Sequence, residues 1–407
     1  MTAPNTPPRV LLMTETYWPE IGGGERQARL LAHGLAARGH EVTIVARRSR
    51  HGLRWRDLDG DARVLRLPPT GQGRWRKWLF ALPALCIPLW RRRRYDLVFV
   101  SGFRLLGIAA MLARILTGKP TVLKADSSGE LSGEYFRAGL AGSGVALESW
   151  PARRLLGLRN TLLRRADAFV SLSDEMTREL LEHGVPAERV RKIANGVDTM
   201  LFRPASSDER AALRTRLGLP AGNVAIYTGR LVSYKGLALL LRIWRDVARA
   251  TLVLVGEGGN DIHACETELR DFVAANGMSE RVRFTGPVDN VHDWLRAADI
   301  FVFPTENEAF GLSLVEAMAC GLASVTTTAG GLRDFVLDGV NALAVPVADA
   351  AALAEGIRAL LADPERRSEI GRAARRTAEE RFGAVAIADA YAALFEQILP
   401  APRASAA

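Results

Sequence analysis

Short apolar runs of strand length alternate with amphipathic stretches of helix length along this chain, and the alternation restarts once. The first round contains "RVLLM", "EVTIVA", "ARVLRL", "DLVFV", "TVLK" and "AFVSLS", with helix-like stretches at 25–38, 103–116 and 174–183 between them. The second round contains "VAIYTG", "TLVLVG", "RVRFTG", "DIFVFP" and "ASVTTT". Unbroken apolar strands separated by helices predict parallel sheets covered on both faces. The expected class is α/β, as two doubly wound, Rossmann-like domains. A length of 407 residues also exceeds what one hydrophobic core usually supports. The turn at Asn195-Gly196, followed by Pro204 and a polar run, marks the restart. We therefore expect domains at 1–196 and 208–383, a linker at 197–207, a further helix at 384–400 and a disordered tail, "PAPRASAA".

Charge divides along the same line. Residues 1–192 carry 32 Lys/Arg against 18 Asp/Glu, and the remainder carries 22 against 27. A basic first half beside an acidic second half implies an anionic partner for the first, or an Arg-rich solvated surface. Nucleic acid is not expected as that partner, because aromatic residues are not interleaved along a basic groove pattern. Cys86, Cys265 and Cys320 stand apart with no C-x-x-C, so each is read as core packing in a reducing compartment. The opening "MTAPNTPPRV" has no apolar signal region. A cytoplasmic location is expected, with the inner face of the cytoplasmic membrane as a candidate site.

That candidate rests on "GRWRKWLFALPALCIPLWRRRRYD", residues 73–96. Its apolar core, Leu79 to Trp90, contains Pro83 and Pro88 and falls short of the ~20 residues a spanning helix needs. Trp75, Trp78 and Trp90 lie beside Arg74, Arg76, Lys77 and the run Arg91 to Arg94. Aromatic and cationic residues flanking a short apolar stretch suit peripheral contact of residues 73–94 with an anionic membrane surface. A core helix with basic ends is the other reading.

Three places carry candidate chemistry. Gly22, Gly23 and Gly24 follow a strand and open a helix, so backbone N–H groups and the helix's positive end can approach an anion. Neither this loop nor "GEGGND" at 256–261 completes the dinucleotide fingerprint, which disfavours a nicotinamide enzyme. In "YTGRLVSYKG", Arg230 and Lys235 follow a strand end, where two cations can clamp a diphosphate. In "ENEAFGLSLVEAMACG", a helix starts near Phe310 or Gly311 with Glu308 before it and Glu316 inside it. The N–H groups of Gly311 and Leu312 offer a second phosphate cradle, and the glutamates suit neutral sugar hydroxyls.

These segments, in this order, are familiar. With "SLSDEMTRELLEHGVPAERVRKIANGVDTMLFRP" and "RVRFTGPVDN", they make the chain resemble the retaining glycosyltransferases of family 4, which have the GT-B fold, two Rossmann-like domains facing a cleft. The resemblance implies a nucleotide diphosphate sugar donor, used as substrate, with no cofactor and no metal. It places Arg230 and Lys235 on the donor diphosphate, assisted by Gly311 and Leu312. Glu316 would bind ribose, Glu308 would face the donor sugar, and Val288 would grip the base. Gly23 and Gly24 would close over the phosphate from the other domain, and the last helix would cross back to the first domain. One position departs from the family: Asp126 in "KPTVLKADSSGE" stands where many members have His. Lys124, Ser127, Ser128 and Glu130 are its candidate partners in acceptor binding, with a solvated loop as the other reading.

The implied reaction is hexosyl transfer (EC 2.4) with retained anomeric configuration, the leaving diphosphate receiving the acceptor's proton. "DLDGD" at 57–61 lacks the later Glu of a calcium loop and is read as a surface turn. The leading expectation is a saccharide or glycolipid acceptor in polysaccharide or envelope assembly. A soluble transferase for a small metabolite or glucan is the alternative. The replaced His also leaves room for a catalytically silent scaffold that binds nucleotide sugar.

Overall fold

The computed structural model describes residues 7–20, 22–71, 73–133, 149–247, 250–259 and 261–399. The tail from residue 400 and the side chains of Arg74, Trp75 and Lys77 lie outside what is described. The chain forms two compact units, 1–196 with 384–407, and 197–383.

The first unit is built on eight strands: β1 (Val10–Met13), β2 (Val42–Arg47), β3 (Arg56–Asp59), β4 (Ala62–Leu67), β5 (Leu97–Ser101), β6 (Thr121–Lys124), β7 (Ala168–Ser171) and β8 (Val190–Lys192). Their order is β3-β4-β2-β1-β5-β6-β7-β8, and every pairing is parallel except β3 with β4. The chain therefore leaves β1 toward one edge and returns through β5 toward the other. Between β1 and β5 lies the switch in strand order, beyond whose carboxyl ends ligands bind in such sheets. The loop that follows β1 leads to Gly22 and the helix start at Gly23 and Gly24, and the loop that follows β5 carries Gly102.

Helices cover both faces because the central strands are apolar throughout; β1, β5, β6 and β7 are buried at every residue. One core cluster joins Leu12, Ile44 and Phe99 to Leu31 and Leu35 of helix Gly23–Ala36. Helix Ala384–Ile398 seals it: Tyr391 and Phe395 meet Phe99 at centroid distances of 5.4 and 5.8 Å.

The second unit has six strands, β9 (Asn223–Thr228), β10 (Ala250–Val255), β11 (Val282–Gly286), β12 (Ile300–Phe303), β13 (Ala323–Thr327) and β14 (Leu343–Val345). They run parallel in the order β11-β10-β9-β12-β13-β14. Here the order switches between β9 and β12, and those two strands precede Arg230–Lys235 and Glu308. Phe310, Phe335 and Phe382 pack together at 5.1 to 5.8 Å behind that point.

Strands β3, β8 and β14 carry no clear signal in the sequence. β3 is an exposed, polar edge formed by a hairpin, and the other two are three residues long. The "DLDGD" stretch is also more than a surface turn. Asp59 accepts from Arg29 Nε and Nη2 and from the Tyr17 hydroxyl, each at 2.9 Å. Arg29 in turn stacks on Trp18 at 4.4 Å, so the hairpin braces the loop after β1.

Residues 74–90 form a helix with Pro83 and Pro88 inside it. Phe80 and Ala84 face the core, whereas Trp78, Leu79, Leu82 and Trp90 are exposed. The core-helix reading describes the buried side, and the other side leaves aromatic and aliphatic side chains exposed. Cys86 is exposed on the same helix, contrary to its reading as core, while Cys320 is buried. Among the described residues, no helix is long and apolar enough to cross a membrane.

Candidate functional site

In the second unit, Lys235 and Glu308 meet. Lys235 lies in the turn after β9 and is only 8% exposed; Glu308 lies in the loop after β12. Lys235 Nζ donates to Glu308 Oε2 at 2.6 Å and to the Asn307 carbonyl at 3.3 Å. The rings of Tyr234 and Phe303 stand 5.3 and 5.5 Å from the same ammonium. A lysine held by an acid, a carbonyl and two aromatic faces loses little freedom on binding an anion.

Arg230 is more exposed. It pairs with Asp261 and donates to the Tyr234 hydroxyl at 2.7 Å. Burial, the largest influence, raises that hydroxyl's pKa against the opposing pull of Arg230, so Tyr234 stays a neutral hydrogen-bonding group. Tyr234 and Asp261 thus aim Arg230, a role that sequence reading missed although Tyr234 adjoins Lys235 in "SYKG".

Helix Leu312–Ala319 begins beside this pair. Its N-cap, Gly311, sits at φ +100°, and a Cβ there would collide with Leu332 Cδ2 and lie 3.6 Å from Glu308 Cγ. Glycine is thus required for the helix to start against the Glu308 loop, with the first N–H groups, including that of Leu312, unspent by the helix. Ser313 Oγ would stand 3.7 Å from a Cβ on Gly229, which brings the helix start to the loop after β9 as well. Glu316 is buried on this helix, next to Cys320. Val288 lies further along the sheet, in the half-buried loop after β11.

In the first unit, helix Gly23–Ala36 opens two residues earlier than its periodicity suggests, with extended Gly22 as N-cap. Gly23 and Gly24 therefore occupy its first turn. Glu25 folds back to accept from Thr16, so a carboxylate already neighbours this positive end. Gly24 also borders the loop after β6: a Cβ on it would lie 3.9 Å from Asp126 Oδ2.

Asp126 is held on several sides. Lys124 Nζ donates to Oδ1 at 2.5 Å, and the Ser101 hydroxyl lies 3.2 Å from both carboxylate oxygens. Lys124 is buried. Ser127 accepts from Arg104 Nη2 at 2.7 Å, and Ser128 lies in the same loop. Glu130 differs from these neighbours. It is 1% exposed and its carboxylate turns inward to backbone N–H groups, so it cannot touch an acceptor directly. The loop as a whole is structured: Glu179 accepts from the N–H groups of Gly129, Leu131 and Ser132. It is not a solvated turn. Ser101 and Arg104 complete the cluster and carried no motif by which sequence reading could find them.

Two family models match the chain, "Glycosyl transferase 4-like domain" over residues 22–196 and "Glycosyl transferases group 1" over residues 222–363. The D-inositol 3-phosphate glycosyltransferase of Jonesia denitrificans is 30% identical over 401 residues, covering 89% of this chain and 88% of that one. Its counterpart in Xylanimonas cellulosilytica is 34% identical over 253 residues, and the match spans 60% of each chain. In fold, the chain resembles Anabaena HepE in complex with UDP-glucose, with a TM-score of 0.76 at 22% identity, covering 96% of this chain and all of that one. Two parallel-sheet units with this likeness are the GT-B architecture. The chain belongs to the group 1 glycosyl transferases, glycosyltransferase family 4.

Proposed function

We propose that this protein is a retaining hexosyltransferase that moves a sugar from a nucleotide diphosphate to a hydroxyl group. The observation that carries the reading is the Lys235–Glu308 ion pair beside the start of helix Leu312–Ala319. Lys235, Arg230 and the N–H groups at Gly311 and Leu312 bind the diphosphate. Glu308 faces the donor sugar, Glu316 the ribose and Val288 the base. Glycosidic cleavage separates the anomeric carbon from the diphosphate oxygen, and the acceptor oxygen forms the new bond on the same face. The acceptor's proton passes to the departing phosphate oxygen. Charge that builds on the leaving group is stabilised by Lys235 and Arg230, with no metal and no cofactor assigned a step.

Asp126, with Lys124, Ser127 and Ser128, receives the acceptor on the first unit. The names of the inositol 3-phosphate transferases favour a small polyol as acceptor. A lipid-linked saccharide is the second reading, favoured by the exposed Trp78, Leu79, Leu82 and Trp90 that precede Arg91–Arg94 in the chain. Arg91 is drawn below its usual pKa first by burial and then by the neighbouring charges of Arg94, Arg56 and Arg63. Such a face suits an anionic bilayer.

A thermal-shift panel of UDP-glucose, GDP-mannose, ADP-glucose and UDP-N-acetylglucosamine tests the donor. At 1 mM, the matching donor should raise Tm by a few degrees, ~2–4 °C. No shift with any of them, or shifts unchanged in Lys235→Ala and Glu308→Ala, would sink the donor site. Turnover lost in those variants and in Asp126→Ala separates an enzyme from a silent scaffold. Transfer to D-inositol 3-phosphate supports the small acceptor. Sedimentation with phosphatidylglycerol vesicles but not phosphatidylcholine vesicles, lost in Trp78→Ser/Leu82→Ser, supports the membrane reading.

A further inference from the structure

Glu130 is a buried carboxyl group for which donor and acceptor chemistry gives no direct use. Its Oε1 accepts from the backbone N–H of Asp126 at 3.1 Å, and its Oε2 from that of Phe103 at 3.1 Å. Phe103 opens helix Phe103–Thr117 directly after β5, and Asp126 follows β6. One carboxylate therefore ties together the carboxyl ends of two adjacent strands. Arg104 Nε lies 3.3 Å from Oε1, and the same guanidinium reaches Ser127 Oγ. Arg159, also buried, donates to the Glu130 carbonyl at 2.8 Å and to that of Arg104 at 3.2 Å.

We propose that Glu130 is a positioning residue for Asp126, fixing its backbone N–H and thereby the side chain that meets Lys124 and Ser101. The inference rests on the reading of Asp126 as part of the reacting site. Both Glu130 oxygens face N–H donors, and the ionised carboxylate accepts from both as a charge-assisted partner, whereas the protonated acid accepts more weakly. The charged groups that face it from the packed elements described are Arg104 on helix Phe103–Thr117, Arg159 on helix Trp150–Leu163 and Asp126, with Lys124 reached through Asp126.

Burial pushes the Glu130 carboxyl up to about 7; Arg104 opposes the rise, Asp126 adds to it, and the Asp126 N–H bond and Arg159 oppose it. The two consequences run in opposite directions with pH. Activity should rise as the carboxylate ionises. Stability should fall, because a carboxyl whose pKa is raised by folding contributes fully below its unfolded value near 4.3, and that contribution is lost as pH rises through about 7.

The experiment measures kcat and KM from pH 5.5 to 8.5, with the full chain and the best-stabilising donor of the panel, together with Tm at each pH. For a single group titrating near 7, wild-type kcat should fall about tenfold from pH 8 to pH 6, with donor KM changing less than about twofold. Glu130→Gln should lose about tenfold in kcat at pH 8, flatten the profile and abolish the loss of Tm between pH 6 and 8. Glu130→Asp, which keeps the charge, should restore the pH limb with reduced kcat, and it serves if Gln fails to fold. Wild-type kcat and an unchanged limb in Glu130→Gln, with Asp126→Ala inactive, would overturn the positioning role. Full activity in Asp126→Ala would overturn the reading of Asp126 instead. If turnover is not detected, a wild-type Tm that does not fall from pH 6 to 8 relative to Glu130→Gln would overturn the proposal on its own.

Discussion

Lys235 Nζ lies 2.6 Å from Glu308 Oε2 although the residues are 73 positions apart in the chain. Each strand order switch places a loop opposite another, and here the two loops that meet carry opposite charges. The pair is nearly dry, so neither partner is well solvated once the other is removed. Lys235→Met and Glu308→Gln should each destabilise the fold. A double-mutant cycle in urea should return a coupling of about 1–3 kcal/mol. Additive effects would mean that the ion pair contributes nothing beyond its parts.

Gly311→Ala should destabilise by about 1–3 kcal/mol, because φ +100° and the Leu332 side chain both reject a Cβ. Donor-induced Tm shift should fall with it, since the helix start moves away from Glu308. Equilibrium unfolding and the donor panel measure the two effects on one sample.

Asp59 predicts an acid-side dependence. Burial raises its pKa, but hydrogen bonds from Arg29 and Tyr17 and the charges of Arg29 and His33 outweigh that and hold it below the usual carboxylate range. A depressed pKa contributes stability above the unfolded value near 3.9, which is lost as pH falls through the folded one. Asp59→Asn should therefore have a lower Tm than wild type at pH 7, and the gap should narrow below about pH 4. A gap that persists unchanged into acid would show that the lost charge is not its source.

Thiol reactivity should separate by burial. Cys86 is exposed, whereas burial beside Glu316 pushes the Cys320 thiol far up. Iodoacetamide at pH 8 should label Cys86 in the native protein and Cys320 only after denaturation, as read by peptide mass spectrometry.

The sequence made the central strands visible because both faces of β1, β5, β9 and β12 are buried, which leaves continuous apolar runs bounded by turn residues. It hid β3 because that strand is an exposed edge whose partner, β4, specifies the pairing through a hairpin. The residue types of the candidate site were legible at loop positions after strands. Their pairings were not: nothing local in "SYKG" or "ENEAFG" says that Lys235 grips Glu308. Glu130 shows the same limit from the other side. In "KADSSGE" it reads as one more polar loop residue, and only the approach of Phe103 and Arg104 from a neighbouring element makes it a buried tie.

Helix Ala384–Ile398 has a consequence for how the molecule comes into being. It delivers Tyr391 and Phe395 onto Phe99, yet the whole of residues 197–383 is synthesised between those partners. The first unit's core closes only when the chain's last helix is available, after the residues of the second unit have been made. The unit begun first is thus finished last, and a chain that lacks residues 384–398 leaves Phe99 without the Tyr391 and Phe395 rings that cover it.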